Sequence, residues 1–457
     1  MDDDTTDATG NENTLRTVGA STFAPGYSDS AATSATEHQV GQGVGQGVAL
    51  NRAGYAQTDM PLLDTTASYT VSAWVKLADT TGVAGNYAVA GQDGAHGTPF
   101  QLRYSVDAKR WQLGLSVADT DNANYLWATS TSVPQAGVWT HLTGVYDPTA
   151  AKASLYVNGV LESQVAVPAS SVWQAYGKFS VGRAFLVGDV TELFNGTIDQ
   201  VQVWNRALPA AEVAELANSP VLRANYQLNG NTNDGVTGAT ASTAGGVAMV
   251  DNVARFDSTA TGEITGPRPQ DFRGDRSFTV EAWVLHRWTA ADTQNATRPD
   301  NPTGADIYAR AAISMDAQVY EPFMFGYRGN PDGQGGWHGQ WSWTMVRETT
   351  GNQQVGGWTV ATPGTADNGV WTHIAGTYDA TTGTMCLYAT TDTRRMQPSC
   401  TDTVKGWNGD ELANLFIGHG RFATDRNYWY GDLRGVRVYS GVLDQLQINR
   451  DTDRDHP

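Results

Sequence analysis

Four short blocks occur twice in this chain, in the same order each time. Tyr69-Thr-Val-Ser-Ala-Trp-Val75 returns as Phe278-Thr-Val-Glu-Ala-Trp-Val284, and Trp139-Thr-His-Leu-Thr-Gly-Val-Tyr-Asp147 returns as Trp371-Thr-His-Ile-Ala-Gly-Thr-Tyr-Asp379. Val181-Gly-Arg183 answers to Ile417-Gly-His419, and Ile198-Asp-Gln-Val-Gln-Val-Trp204 answers to Leu433-Arg-Gly-Val-Arg-Val-Tyr439. Ordered recurrence of this kind marks a duplicated module. The 457 residues suit two copies, because single hydrophobic cores seldom grow past about 250–300 residues.

Each block alternates with a period of two, the period of a strand. Val71, Ala73 and Val75 face one way, and Thr70, Ser72 and Trp74 the other. Asn158-Gly159 between Ser154–Val157 and Val160–Ser163 is a two-residue hairpin signal. The expected fold class is all-β: two consecutive antiparallel β-sandwich modules, at 1–219 and 220–457. Leu208–Ala217 is the one helix-like segment, with Pro209 in its first turn and Asn218-Ser-Pro220 as its stop. Module two opens with an apparent strand at Asn225–Leu228, whereas Met1 falls where the matching strand should be ending. Module one is therefore expected to lack its first strand.

Lys+Arg number 29 against 47 Asp+Glu, a formal charge of −18, which disfavours phosphate backbones and anionic membrane surfaces as partners. Nucleic acid is thus not expected. No apolar stretch approaches the roughly 18 residues of a membrane span. Met1 is followed by three aspartates, which no secretory leader tolerates, so a leader would lie outside this chain. Few of the basic residues are Lys, and the Arg bias with abundant Ala and Gly points to a GC-rich bacterial genome. Cys386 and Cys400 flank a segment that reads as a hairpin arm, a polar tip and a returning arm. A bridge there would constrain the unfolded chain by roughly 3 kcal/mol and would imply an oxidising compartment; two unrelated buried thiols are the alternative.

The blocks together resemble the laminin-G-like jelly-roll family of the concanavalin A-like lectin and glucanase superfamily. The pattern runs from Phe/Tyr-Thr-Val-x-Ala-Trp-Val through Trp-Thr-His and Leu-Tyr-Val-Asn-Gly to Gly-x-Ile-Asp. The resemblance spans about Asp7–Leu216 and, more loosely in its middle, Tyr226–Ile448. It implies a concave sheet, carbohydrate or protein ligands, and often one structural Ca²⁺. On that pattern Asp7, Asn11 and Asp199 are the calcium candidates of module one. In module two Arg434 replaces Asp199 and Gly238-Ala239 replaces Gly10-Asn11, so no metal is expected there. Arg434 is expected to pair with Asp234 instead.

The glucanase branch implies two carboxylates on one face, about 5–5.5 Å apart in retaining enzymes. No such strand pattern occurs. Glu281 has Thr279 and Trp283 as same-face neighbours, and His141 and His373 lack a local Ser or Cys partner. A non-catalytic module is expected.

Sugar ligands need aromatic faces beside amide or acid groups. Trp337, His338 and Gln340 supply that mix in a Gly-rich stretch, and Tyr428 and Trp429 belong to a run that reads as exposed; these five are the ligand candidates of module two. Trp341 and Trp343 share a face with Met345 and read as core. Tyr87, His96 and Trp127 are the module-one counterparts. A polar insertion at about 289–312 has no match in module one, and long loops on such scaffolds carry recognition or are merely tolerated. The expected role is recognition of a glycan or other cell-surface ligand by a secreted or surface protein, beside other domains of a larger parent. A spacer that binds protein, or a hydrolase, is the alternative.

Overall fold

Three of the four duplicated blocks become the central strands of two back sheets, one in each half of the computed structural model, and the fourth enters the front layers. The structure describes residues 13–27, 46–81, 85–257, 261–287, 308–316, 321–331, 337–346, 349–350, 353–354, 357–363, 366–408, 414–422, 425–454 and 456. The chain divides into two compact units, Met1–Ala217 and Asn218–Pro457. Both are antiparallel sandwiches. No helix among the described residues is long and apolar enough to cross a membrane.

In module one the back layer runs Val160–Ala166, Lys152–Val157, Trp139–Asp147, Tyr69–Leu77, Asn195–Trp204 and Gln46–Gln57. The front layer continues with Phe179–Val181, Tyr87–Gln92, Phe100–Ser105, Arg110–Ser116 and Tyr125–Thr129. One strand serves both layers. Val48–Asn51 pair with the back strand Asn195–Trp204, while Ala56 and Gln57 pair with the front strand Phe179–Val181. Between these pairings Arg52 has φ 65°, a local corner that lets the strand change sheets.

Module two divides that corner. Val253–Phe256 joins a nine-stranded back sheet and Glu263–Pro267 a separate seven-stranded front sheet. An added strand, Val221–Tyr226, pairs with Val436–Ser440. Among the described residues no strand takes the equivalent place beside Val201–Trp204.

The two back sheets share a bulge. Register shifts between Asp199 and Gln202 against Trp74 and Ser72, and again between Arg434 and Arg437 against Trp283 and Glu281. The extra residue takes positive φ in both modules, at Gln200 (45°) and Gly435 (59°). Upstream, Gly196 and Gly431 have φ 145° and 137°, and a Cβ there would press on the carbonyl oxygens of Lys76 and Leu285. Both the conformation and the close approach demand glycine.

Inward-facing residues follow the alternation: Val71, Ala73 and Val75 enter one core, and Val280, Ala282 and Val284 the other. Trp341, Trp343 and Met345 are wholly buried in the second core. The outward face is covered too. Tyr27 stacks on Trp74 with centroids 3.4 Å apart, and His456 meets Trp283 edge-on at 4.8 Å.

Several expectations about local structure are refined. The Asn158-Gly159 hairpin forms, with both residues at positive φ as a primed turn requires. The Cys386–Cys400 bridge forms across paired strands, with Cα atoms 4.1 Å apart. The first helix covers Ala210–Ala217, and a second, Gln445–Arg454, has no counterpart in the expectations. Its signal is a capping box: Asp444 Oδ1 accepts from Gln447 N at 2.7 Å, and Gln447 Oε1 accepts from Asp444 N at 2.8 Å. The insertion ends earlier than expected, because 308–312 already belong to the strand Tyr308–Met315; residues 288–307 lie outside the described ones.

Candidate functional site

A cleft of about 660 Å³ opens at the divided corner of module two. That is within the usual size range of ligand sites. Arg255 and Asp432 are cross-strand partners, and Leu285 pairs with Asp432 from the other side. Arg287 follows that strand and donates its backbone N–H to Tyr430 O at 3.1 Å. Register alone therefore gathers Arg255, Arg287, Tyr430 and Asp432. Module one carries Ala49, Ala78, Asn195 and Thr197 at the equivalent places, aligned by the same register.

The charges are arranged asymmetrically. Asp432 accepts Nε and Nη2 of Arg255 at 3.0 and 3.2 Å, and Nη1 and Nη2 of Arg287 at 2.6 Å each. Burial alone would raise its carboxyl pKa, but hydrogen bonds and charge from Arg287 and Arg255 outweigh that and hold it below the ordinary range. The Asp432 side chain is 4 % exposed, whereas those of Arg255 and Arg287 are 40 % and 35 % exposed. The arginines face the cleft and the acid lies behind them. Arg255 also stands 3.6 Å from the exposed Asp251, and Asp257 lines the cleft. Gly245, at φ 66°, contributes bare backbone to the wall. The Tyr430 ring carries the Arg310 guanidinium 6.0 Å from its centroid.

Of the five ligand candidates, the structure describes the side chains of Gln340, Tyr428 and Trp429. The side chains of Trp337 and His338 lie outside the described residues. Gln340 is half-buried and donates Nε2–H to Thr362 O at 2.9 Å. Tyr428 stacks on His419 at 4.7 Å. Trp429 corrects the expectation of an exposed run: it is 1 % exposed and packs beside Trp341 in the core. Alternation explains it, since Trp429 turns inward while Tyr430 turns outward to the cleft. Tyr430 belongs to the same exposed-looking run, whereas Arg255, Arg287 and Asp257 carry no local signal that marks them as site residues.

Of the calcium candidates, Asp7 and Asn11 lie outside the described residues. Asp199 is buried, and its carboxylate accepts Tyr27 N at 2.8 Å and Gln200 N at 2.7 Å. A carboxylate offers about four lone-pair sites, so these bonds are compatible with a cation contact. No group of three or more metal-ligating side chains occurs among the described residues. The expected Arg434–Asp234 pair does not form there. Asp234 instead accepts the backbone N–H groups of Asn225, Val236 and Thr237, closing a tight local turn.

In module one, Tyr87 is buried, His96 Nδ1 lies 3.0 Å from Asp121 Oδ1, and Trp127 stacks beneath Arg103 at 3.8 Å. Each candidate there is already engaged.

His141 and His373, the histidines of the two Trp-Thr-His blocks, are both buried. Burial holds the pKa of both His141 and His373 down to about 3. Thr452, His373 and Glu281 align like a catalytic triad, with Thr452 Oγ1 2.9 Å from Nδ1 and Glu281 Oε2 3.7 Å from Nε2. The proton inventory runs the wrong way for one. Thr452 donates its hydroxyl hydrogen to Ile448 O at 2.8 Å, so Nδ1 must be the donor to it. The basic nitrogen then faces Glu281, away from the hydroxyl, and all three groups are buried.

A family model described as the concanavalin A-like lectin/glucanases superfamily, laminin G type, matches residues 50–214 and 257–449. No curated protein sequence matches the chain. Among solved structures it is similar to domain 4 of AbnA, a GH43 extracellular arabinanase from Geobacillus stearothermophilus, in complex with arabinotriose. That match has 19 % identity and TM-score 0.31, over 47 % of this chain and 93 % of the other. It is also similar to the binding domain of botulinum neurotoxin DC in complex with rat synaptotagmin II, at 10 % identity and TM-score 0.37, over 98 % and 94 % of the two chains. Domains LG4-5 of the mouse laminin alpha1 chain are similar at 10 % identity and TM-score 0.26, over 86 % and 88 %.

Proposed function

Because the chain belongs to the laminin-G-like family of the concanavalin A-like lectin/glucanases superfamily, we propose that it is a non-catalytic extracellular module that binds glycans through the cleft of module two. The observation that carries this reading is the cleft itself. It has the size of a ligand site and mixes both charge signs with a tyrosine ring and bare backbone, and module one carries Ala49, Ala78, Asn195 and Thr197 where Arg255, Arg287, Tyr430 and Asp432 stand. Aromatic faces and hydrogen-bonding side chains are what a sugar ring requires. The disulfide suits an oxidising, secreted setting. Trp337, His338, Gln340 and Tyr428 are proposed as secondary contacts. Calcium is proposed for module one alone, on Asp7, Asn11 and Asp199.

A glycan array with the full chain tests the reading. Binding that falls at least about tenfold with Tyr430→Ala supports it, a change worth about 1.4 kcal/mol. Silence across the array shifts the role to a protein-binding spacer, and release of sugar by the purified chain replaces it with a hydrolase. For calcium, the ion should raise the unfolding temperature of module one, and Asp199→Asn should remove that rise.

A further inference from the structure

Arg255 and Arg287 hold more donors than Asp432 takes, with the exposed Asp251 a further neighbour of Arg255 at 3.6 Å. Each guanidinium carries five N–H groups, and Asp432 takes two from each. The shared carboxylate fixes both arginines from behind, so little side-chain freedom remains to be lost when a ligand arrives. Guanidinium forks match a carboxylate's geometry. A simple inorganic anion fits poorly, because Asp257 lines the same cleft. An acidic sugar answers both features, with an acid group for the arginines and neighbouring hydroxyls that donate to Asp257. The bare backbone at Gly245 and Gly246 lets a ring approach the wall closely.

We infer that the cleft selects sugars bearing a carboxylate, seated on Arg255 and Arg287 with adjacent hydroxyls on Asp257. This rests on the glycan-binding reading above. The chain's charge of −18 repels acidic polymers at long range, so capture depends on this local cluster and weakens as salt screens it.

The test is titration calorimetry of the full chain with oligomers of a hexuronic acid, the matching neutral hexose oligomers, and inorganic sulfate. The uronic oligomers are expected to bind at least about tenfold more tightly than the neutral ones, one bidentate charged contact being worth roughly that much. Sulfate should bind more weakly than the uronic oligomers. Arg287→Gln and, independently, Arg255→Gln should each erase the preference, with circular dichroism confirming the fold. Asp257→Asn should weaken the uronic oligomers and strengthen sulfate. Equal affinity for acidic and neutral oligomers in the unaltered chain overturns the inference and leaves the glycan-binding reading standing. Absence of binding to every sugar removes both.

Discussion

At equivalent places on the two back sheets, Ser72 faces Gln202 in module one and Glu281 faces Arg437 in module two. Register and bulge are the same, but the surroundings are not. Gln202 is exposed, whereas Arg437 and Glu281 are both wholly buried, joined at 3.1 Å. What differs is the cover. In module two the added strand Val221–Tyr226 pairs along Arg437, and the helix Gln445–Arg454, which like Ala210–Ala217 packs on the outer face, brings Asp451 to accept from Tyr439 Oη at 2.8 Å and Thr452 to reach His373. Burying ions costs free energy that a well-made pair only partly offsets. The charged pair is therefore better read as fixing where the helix docks than as a net source of stability. One scaffold has been kept, and its outer face re-used.

The largest expected effect breaks that pair. Measured above pH 8, where Glu281 is ionised, Arg437→Met leaves it buried without its cation and should destabilise module two by about 3–5 kcal/mol. Gln202→Met should change module one by no more than about 0.5 kcal/mol. Denaturant unfolding followed separately for each module reads the difference. The double change Glu281→Ser with Arg437→Gln, which installs the module-one pair, should recover most of the loss; equal small effects in both modules would sink the comparison.

Next in size is the bridge. Cys400→Ser should lower module two alone by roughly 3 kcal/mol, from loop-closure entropy. A shift in the module-one transition would contradict the independence of the two units.

Acidity separates the modules more finely. Burial, reinforced by the nearby Asp451 charge, pushes the Glu281 carboxyl up to about 8 despite Arg437. The folded form then keeps a proton that the unfolded chain has lost, so this contribution is complete below the ordinary Glu pKa and disappears as pH rises through about 8. His141 and His373 act oppositely. Unfolded chains protonate them near 6.5 and the folded chain only near 3, so their contribution is lost as pH falls across that window. Between pH 6.5 and 8 module two should weaken while module one stays level, and Glu281→Gln should flatten that slope. Thermal melts across this range decide it; parallel curves for the two modules would count against the assignment.

The smallest effect lies in the bulge. Gln200→Gly should stabilise module one by up to about 1 kcal/mol by relieving positive φ, and Gly435→Gln should cost module two about as much. No change in either would show that the bulge carries no strain.

The repeat made the scaffold readable, because period-two blocks in fixed order define paired strands whatever surrounds them. The Asn158-Gly159 turn and the cysteine hairpin were readable for the same local reason. The second helix was present in Asp444 and Gln447 but is too polar for a periodicity search to notice. The cleft was harder. Arg255, Arg287 and Asp432 stand far apart in sequence and meet only through register, and the orientation of Trp429 against Tyr430 depends on which face of the strand is core. The paired exchange of Ser72 and Gln202 for Glu281 and Arg437 was visible by aligning the copies, once the two strands are known to be neighbours.

The shared corner strand Gln46–Gln57 has a consequence for local opening. Its amides are held by partners in both layers, so the layers of module one cannot separate without breaking a single continuous ladder. In module two the corner is two strands, each tied to its own sheet. Amide exchange should therefore report one protected unit spanning the corner of module one, and two units with distinct opening free energies in module two.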